Sequence, residues 1–377
     1  MIFGNPVKVE WGTPDFSWLA PMVGGRHAAV ITTKGAEDRG VLELVRSVIN
    51  QAGLPVVTDV RSNPTIAGIR ENAAALLDSS RAIEVIVAIG GGSVLDTAKG
   101  IAAIASGGFS GDWFASHLRE GAEFPASFAP PPIIAVPTTA GTGSEVTMWG
   151  TVWDEVSGAK YSISHPRLYP ERAVLVPELT ATMPRELTLY TALDALSHCM
   201  ESIWNKRANA VSEAFATAGI ARILPAISEG LRSPDDLPTR RRLQEGALLG
   251  GLAISCTATA LAHSISYPLT SKLGIPHGLA SGFTLPELMR FNADAAPDRV
   301  LVVARAMNEE DVNAAQTKLA GYFSDWGVAT EVRKYLDEEK ARGLADQLLT
   351  PGRAENNVRN ATHEDALGIV LRSIQPN

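Results

Sequence analysis

The chain has 377 residues, 45% of them hydrophobic and 20% charged, a net charge of -8 and a pI near 5.5. That length suits two domains of roughly 150 to 200 residues, and no segment is polar or repetitive enough to read as disordered. The acidic balance disfavours nucleic acid, which needs a clustered positive field. Cys199 and Cys256 form neither a disulfide framework nor a thiolate zinc pair, which fits a reducing cytoplasm. The start MIFGNPVKVEWG lacks a basic flank with an apolar core, and no run of about 18 apolar residues is present, so secretion and membrane insertion are not expected.

In chain order, HAAVITT, PVVTDV, EVIVAIG and PIIAVPT read as short Val- and Ile-rich strands. Between them lie helices over 41–52, over 65–77 and from Ser93. This alternation predicts a doubly wound, Rossmann-like α/β domain with a parallel sheet covered on both faces. TVWD and AKYSIS around a Val-Ser-Gly turn predict a β-hairpin before the strand AVLVP. Beyond Thr180 the Ala-, Leu-, Glu- and Arg-rich stretches, punctuated near Pro225, Pro234, Pro268 and Pro276, predict an all-helical domain. The expected division is 1–180 and 181–377.

Gly90-Gly91-Gly92-Ser93 lies between the strand VIVAI and a helix. There the glycines would let the backbone approach a pyrophosphate, and the helix N-terminus would favour its charge. A bare tight turn explains the same residues. The loop PTTAGTGSEVT, residues 137–147, also follows a strand. Two such loops at adjacent strand ends favour a dinucleotide.

Asp194 and His198 are spaced to share one helical face, one turn apart. His263 and His277 flank a segment in which Pro268 and Pro276 suggest a turn that could return the second imidazole to the first. Three imidazoles and one carboxylate suit Fe(2+) or Zn(2+) with a position left open for substrate.

These motifs together resemble the iron-containing, or group III, alcohol dehydrogenase family over nearly the whole chain. The resemblance rests on SNPT at 62–65, GGGSVLDTAKG at 90–100, PTTAGTGSEVT at 137–147, VPELT at 176–180, DALSHCMES at 194–202 and HSISYPLTSKLGIPHGLA at 263–280. It implies metal ligation by Asp194, His198, His263 and His277. It also implies cofactor binding by Gly91, Gly92, Ser93, Asp96, Thr138, Thr139, Thr142, Lys160 and Leu179, and a homodimer. Retention of all four ligands argues against the metal-free maleylacetate reductase branch.

Two departures bear on chemistry. Where many relatives have an aspartate that pairs with the adenosine ribose, this chain has Thr33 followed by Lys34, which admits NADPH beside NADH. Where many carry a histidine thought to relay the alcohol proton, this chain has Tyr267, either a relay or a pocket wall. TVWDEVSGAKYSISHPRLYP, SISYPLTSKLG and LPELMRFN resemble the phosphonate branch, which interconverts phosphonoacetaldehyde and 2-hydroxyethylphosphonate. Thr270, Ser271 and Lys272 are the candidate head-group contacts, although Lys272 reads equally as a surface lysine. The expected reaction is reduction of a small aldehyde to its primary alcohol. Alternatives are a short-chain alcohol or glycerol-type polyol dehydrogenase, a dehydroquinate-synthase-like lyase, and a catalytically silent oligomeric scaffold.

Overall fold

A computed structural model describes residues 4–77, 81–106 and 111–375. The chain forms two compact units. One comprises Gly4–Thr139 with Ser144–Thr180; the other comprises the chain from Ala181 onward with the tetrapeptide Ala140–Gly143.

The first unit is built on six parallel strands in the order β1-β8-β5-β4-β2-β3. They are β1 (Lys8–Trp11), β2 (Ala28–Ile31), β3 (Val56–Val57), β4 (Val85–Gly90), β5 (Ile133–Pro137) and β8 (Arg172–Leu175). Successive side chains on a strand point to opposite faces. Val85, Val87 and Ile89 accordingly enter one core and Ile86 and Ala88 another, so an unbroken apolar run is buried on both sides. The expected Rossmann-like sheet is present. β1 was not expected, because KVEW is mostly exposed and reads as polar; it is held in parallel register, Lys8 to Arg172 and Trp11 to Leu175, at the sheet edge. The expected hairpin forms a separate two-stranded sheet from β6 (Trp149–Trp153) and β7 (Lys160–Ser164).

The second unit is helical. Helix Arg185–Ile203 packs with Ala210–Arg232 and Leu237–Thr257, followed by Leu261–Leu273 and the short helix His277–Gly282. Helix Ala210–Arg232 is long and apolar enough by composition to cross a membrane, which the sequence reading did not anticipate. Its Ala216, Ile220, Ile223 and Ile227 are nonetheless buried in the helical core.

Pro225 and Pro268 lie inside helices, which corrects the expectation that they punctuate them. A proline removes the hydrogen bond to the carbonyl four residues earlier. For Pro268 that carbonyl is Ser264, and it accepts instead from the Thr350 hydroxyl at 3.2 Å. The turn that returns the chain toward His277 is made by Gly274, with φ of 70°, and by Pro276. Gly143, with φ of 62°, lies where an added Cβ would collide with the backbone of Gly251, so only a glycine lets this tetrapeptide seat against that helix.

Candidate active site

Helix Arg185–Ile203 presents Asp194 and His198 one turn apart and Glu201 less than a turn further on, all at most 4% exposed. The helix beginning at His277 approaches it closely because residue 278 is glycine; a Cβ there would strike the carbonyl oxygen of Tyr190. The approach brings three imidazoles around one oxygen, Asp194 Oδ1. The Nε2 atoms of His198, His263 and His277 stand at 3.7, 3.6 and 3.9 Å from it. These separations exceed hydrogen-bond length. They approach the roughly 3.3 to 3.6 Å that separates donor atoms bonded at about 2.0 to 2.2 Å to one tetrahedral ion. One donor atom each from Asp194, His263 and His277 lies within 4.8 Å of the others, and the His198 ring stacks on His263 at 4.9 Å.

The buried Nε2 of His263 has no hydrogen-bond partner. A buried nitrogen without a partner, facing a carboxylate beyond bonding distance, fits a divalent ion between them. Burial opposes the charge on Asp194, yet the surrounding imidazoles hold its carboxyl well below the usual range. Burial brings His198 down to about 4, against the pull of Asp194, so it is neutral near pH 7 as a ligand must be. His263 behaves oppositely: burial disfavours its charge, but the carboxylates of Glu201 and Asp194 outweigh burial and favour a positive charge at this ring, a proton or, at Nε2, a metal cation in its place.

Glu201 was not singled out in the sequence. Its Oε2 lies 2.6 Å from His263 Nδ1, and its Oε1 accepts from the backbone N–H of Ala262 at 2.6 Å and of His263 at 3.3 Å. A carboxylate behind a histidine fixes the tautomer that leaves the other nitrogen free for metal. The available signal was an acidic residue three positions after His198, on the helical face of the two ligands. The Ser281 hydroxyl donates to Asp194 Oδ1 at 2.9 Å, orienting the carboxylate.

Tyr267 lies one turn beyond His263, its ring 6.4 Å from that of His277. Its phenolic oxygen accepts from Nε of Arg353 at 3.3 Å. The three proposed head-group residues separate. Thr270 shares the His263 face, 7% exposed, and its hydroxyl is buried without a hydrogen-bond partner. Ser271 and Lys272 are exposed, and Lys272, nine residues past His263, lies about half a turn around the helix from it. The structure does not bring Lys272 to the ligand face.

In the α/β unit, Gly91 caps the helix Gly92–Ile104, which carries no acidic side chain in its first turn to compete with an anion. Gly92 and Ser93 open the helix. Thr138, on the following loop, donates its N–H to Gly90 at 3.0 Å, and Thr139 packs where a Cβ on Gly91 would reach it. Asp96 accepts from Ser144 Oγ at 2.7 Å and from the N–H of Thr151 at 3.0 Å, so it ties the helix to the hydroxyl-rich loop. The buried Lys99 joins the same network, donating to Ser144 Oγ at 2.8 Å and to the carbonyl of Trp149 at 2.7 Å. Thr33 caps the helix Lys34–Asp38, accepting from Ala36 at 3.2 Å. Lys160 lies over the Trp153 ring, and Leu179 is half-buried against a sheet core. Thr142 belongs to the tetrapeptide grouped with the helical unit.

Residues 7–177 match the family model for iron-containing alcohol dehydrogenase, and residues 188–374 match the C-terminal model of the same family. The phosphonoacetaldehyde reductase of Streptomyces viridochromogenes is 41% identical over 59% of this chain, which spans 57% of that protein. The 4-hydroxybutyrate dehydrogenase of Cupriavidus necator is 32% identical over 77% of this chain and 76% of its own length. Among solved structures, a sulfoacetaldehyde reductase from Bifidobacterium kashiwanohense, in complex with NAD+, superposes with a TM-score of 0.88 and 28% identity. That match covers 100% of this chain and 99% of the other.

Proposed function

Because the chain belongs to the iron-containing alcohol dehydrogenase family, we propose that it reduces a small aldehyde bearing an acid group, phosphonoacetaldehyde above all, to the primary alcohol. The observation that carries this reading is the convergence of His198, His263 and the half-buried His277 on one oxygen of the buried Asp194, with Glu201 behind His263. The substrate class is supported by the relatives: three are named for two- or four-carbon molecules ending in phosphonate, carboxylate or sulfonate.

Asp194, His198, His263 and His277 would hold the ion, iron in the first instance. When bound, the ion supplies a Lewis acid for the carbonyl oxygen, and a nicotinamide cofactor supplies hydride. Glu201 and Ser281 hold the ligand set in place. Tyr267, one turn beyond His263 and accepting from Arg353 through its phenolic oxygen, is the candidate proton donor to the alcohol oxygen. The turn Gly91-Gly92-Ser93 would take the pyrophosphate, with Asp96, Thr138, Thr139, Thr142, Lys160 and Leu179 around the cofactor. Thr33 beside the exposed Lys34 offers no carboxylate to repel a 2'-phosphate, so NADPH is accepted with NADH. The two free cysteines fit a cytoplasmic enzyme, and the edge strand β1, with Val9 and Trp11 exposed, fits a homodimer.

The test is anaerobic reconstitution with iron(II), followed by oxidation of NADPH and NADH with phosphonoacetaldehyde or butanal. Metal-dependent turnover that favours the phosphonate is expected. Turnover of butanal alone would replace this reading with a general short-chain alcohol dehydrogenase, and absence of turnover with both would overturn the reductase.

A further inference from the structure

Among the described residues, the nearest cation with a bonded link to the histidine face is Arg353, and its position follows from Pro268. With no N–H at position 268, the Ser264 carbonyl is available, and Thr350 docks on it at 3.2 Å. The Ser264 hydroxyl fastens the same segment twice, donating to the carbonyl of Leu348 at 2.9 Å and accepting the N–H of Thr350 at 2.6 Å. Three residues later the chain delivers the Arg353 guanidinium to the Tyr267 hydroxyl, and that ring lies 6.4 Å from His277.

Arg353 is half-buried. Its Nη1 donates to the carbonyl of Gly352 at 2.9 Å, and no carboxylate pairs with it among the described residues. Most arginines of the helical unit that are fixed in place have an acidic partner, as Arg299 has Glu213 and Arg372 has Glu287. A positioned guanidinium with its charge uncompensated, beside a metal-ligand cluster, is suited to a planar or tetrahedral oxyanion. The Thr270 hydroxyl, three residues beyond Tyr267 on the same helix and buried without a partner, is a further polar group for such a ligand. A two-carbon aldehyde acid spans on the order of 5 Å from carbonyl oxygen to acid oxygen by ordinary bond lengths. A carbonyl held at the histidines would direct such an acid group along Tyr267, whose ring lies 6.4 Å from that of His277 and whose hydroxyl meets Arg353. On a chain of net charge -8, a dianion needs a local cation to be drawn in.

We propose that Arg353 is the specificity-determining residue that receives the acid group of the substrate, with Thr270 beside it, in place of Lys272. The inference rests on the reading of the substrate as an anionic aldehyde.

The test is the ratio of kcat/KM for phosphonoacetaldehyde to that for butanal, measured with the metal-loaded full chain. In R353M this ratio is expected to fall at least about 30-fold, the scale of losing charge-assisted bonds, and R353K is expected to recover part of it. Y267F removes the hydroxyl that Arg353 donates to, and is expected to slow both aldehydes while lowering the ratio less than R353M does, because the cation itself is kept. R353Q keeps the donors without the charge and takes the place of R353M if that variant does not fold. A wild-type preference for the phosphonate that survives in R353M, or in R353Q in its place, overturns the role of Arg353 and leaves the proposed substrate standing. A wild type with no preference overturns both.

Discussion

Glu201 satisfies three donors at once: the backbone N–H groups of Ala262 and His263, and the His263 ring. Replacing it with glutamine puts an amide where one of these acceptors stood and weakens the hold on the His263 tautomer. Iron affinity in E201Q is expected to fall about 10- to 100-fold, read by competition with a coloured chelator; unchanged affinity would mean that Glu201 serves the fold alone. That Asp194 and His198 share a face was legible because a spacing of four on a helix is a geometric statement, whereas His263 and His277 were paired with them by a proline turn and by resemblance. Glu201 was not legible, since nothing local distinguishes a buried glutamate at that spacing from a solvated one. Arg353 was further from view: its place depends on a carbonyl released by Pro268, 85 positions earlier in the chain.

Elements show a similar division. The apolar runs of β4 and β5 announce strands buried on both faces, and the structure divides their side chains between two cores. β1 escapes such a reading because an edge strand needs no apolar pattern. The β6–β7 hairpin depends on Asp154, which lies 3% exposed and receives Nε and Nη2 of Arg119 at 3.0 and 2.6 Å, with Ser157 Oγ at 2.8 Å. The Arg119 guanidinium, with the Ser157 and Val156 donors, holds its carboxyl at about 2, below the 3.8 of a free aspartate. A carboxylate depressed on folding stabilises fully above its unfolded pKa and loses that contribution as pH falls through the folded value. Because Arg119 is 39% exposed, screening limits the effect. D154N is expected to lose about 1 to 2 kcal/mol at pH 7 in urea unfolding. The gap from the wild type should close between pH 3.8 and about 2.

At the scale of the molecule, an ion held by Asp194, His198, His263 and His277 ties together three helices: Arg185–Ile203, Leu261–Leu273 and His277–Gly282. A ligand present at about 1,000 times its dissociation constant stabilises the form that binds it by about 4 kcal/mol. Stripping the ion is therefore expected to speed amide exchange in those helices by up to about a thousandfold, with β2, β4 and β5 unaffected. Uniform loss of protection across both units would contradict a site confined to the helical one.

The helical unit also takes in a tetrapeptide from far upstream. Ala140–Gly143 leaves the α/β unit after Thr139 and returns to it at Ser144, seated against Gly251 through a left-handed glycine. A gene fragment beginning at codon 181 would encode Asp194, His198, His263 and His277, yet it would lack this plug and leave backbone around Gly251 and Thr191 uncovered. The two units can therefore not be shuffled as separate cassettes, and recombination that joins the second half of this gene to a foreign first half must preserve the loop as well.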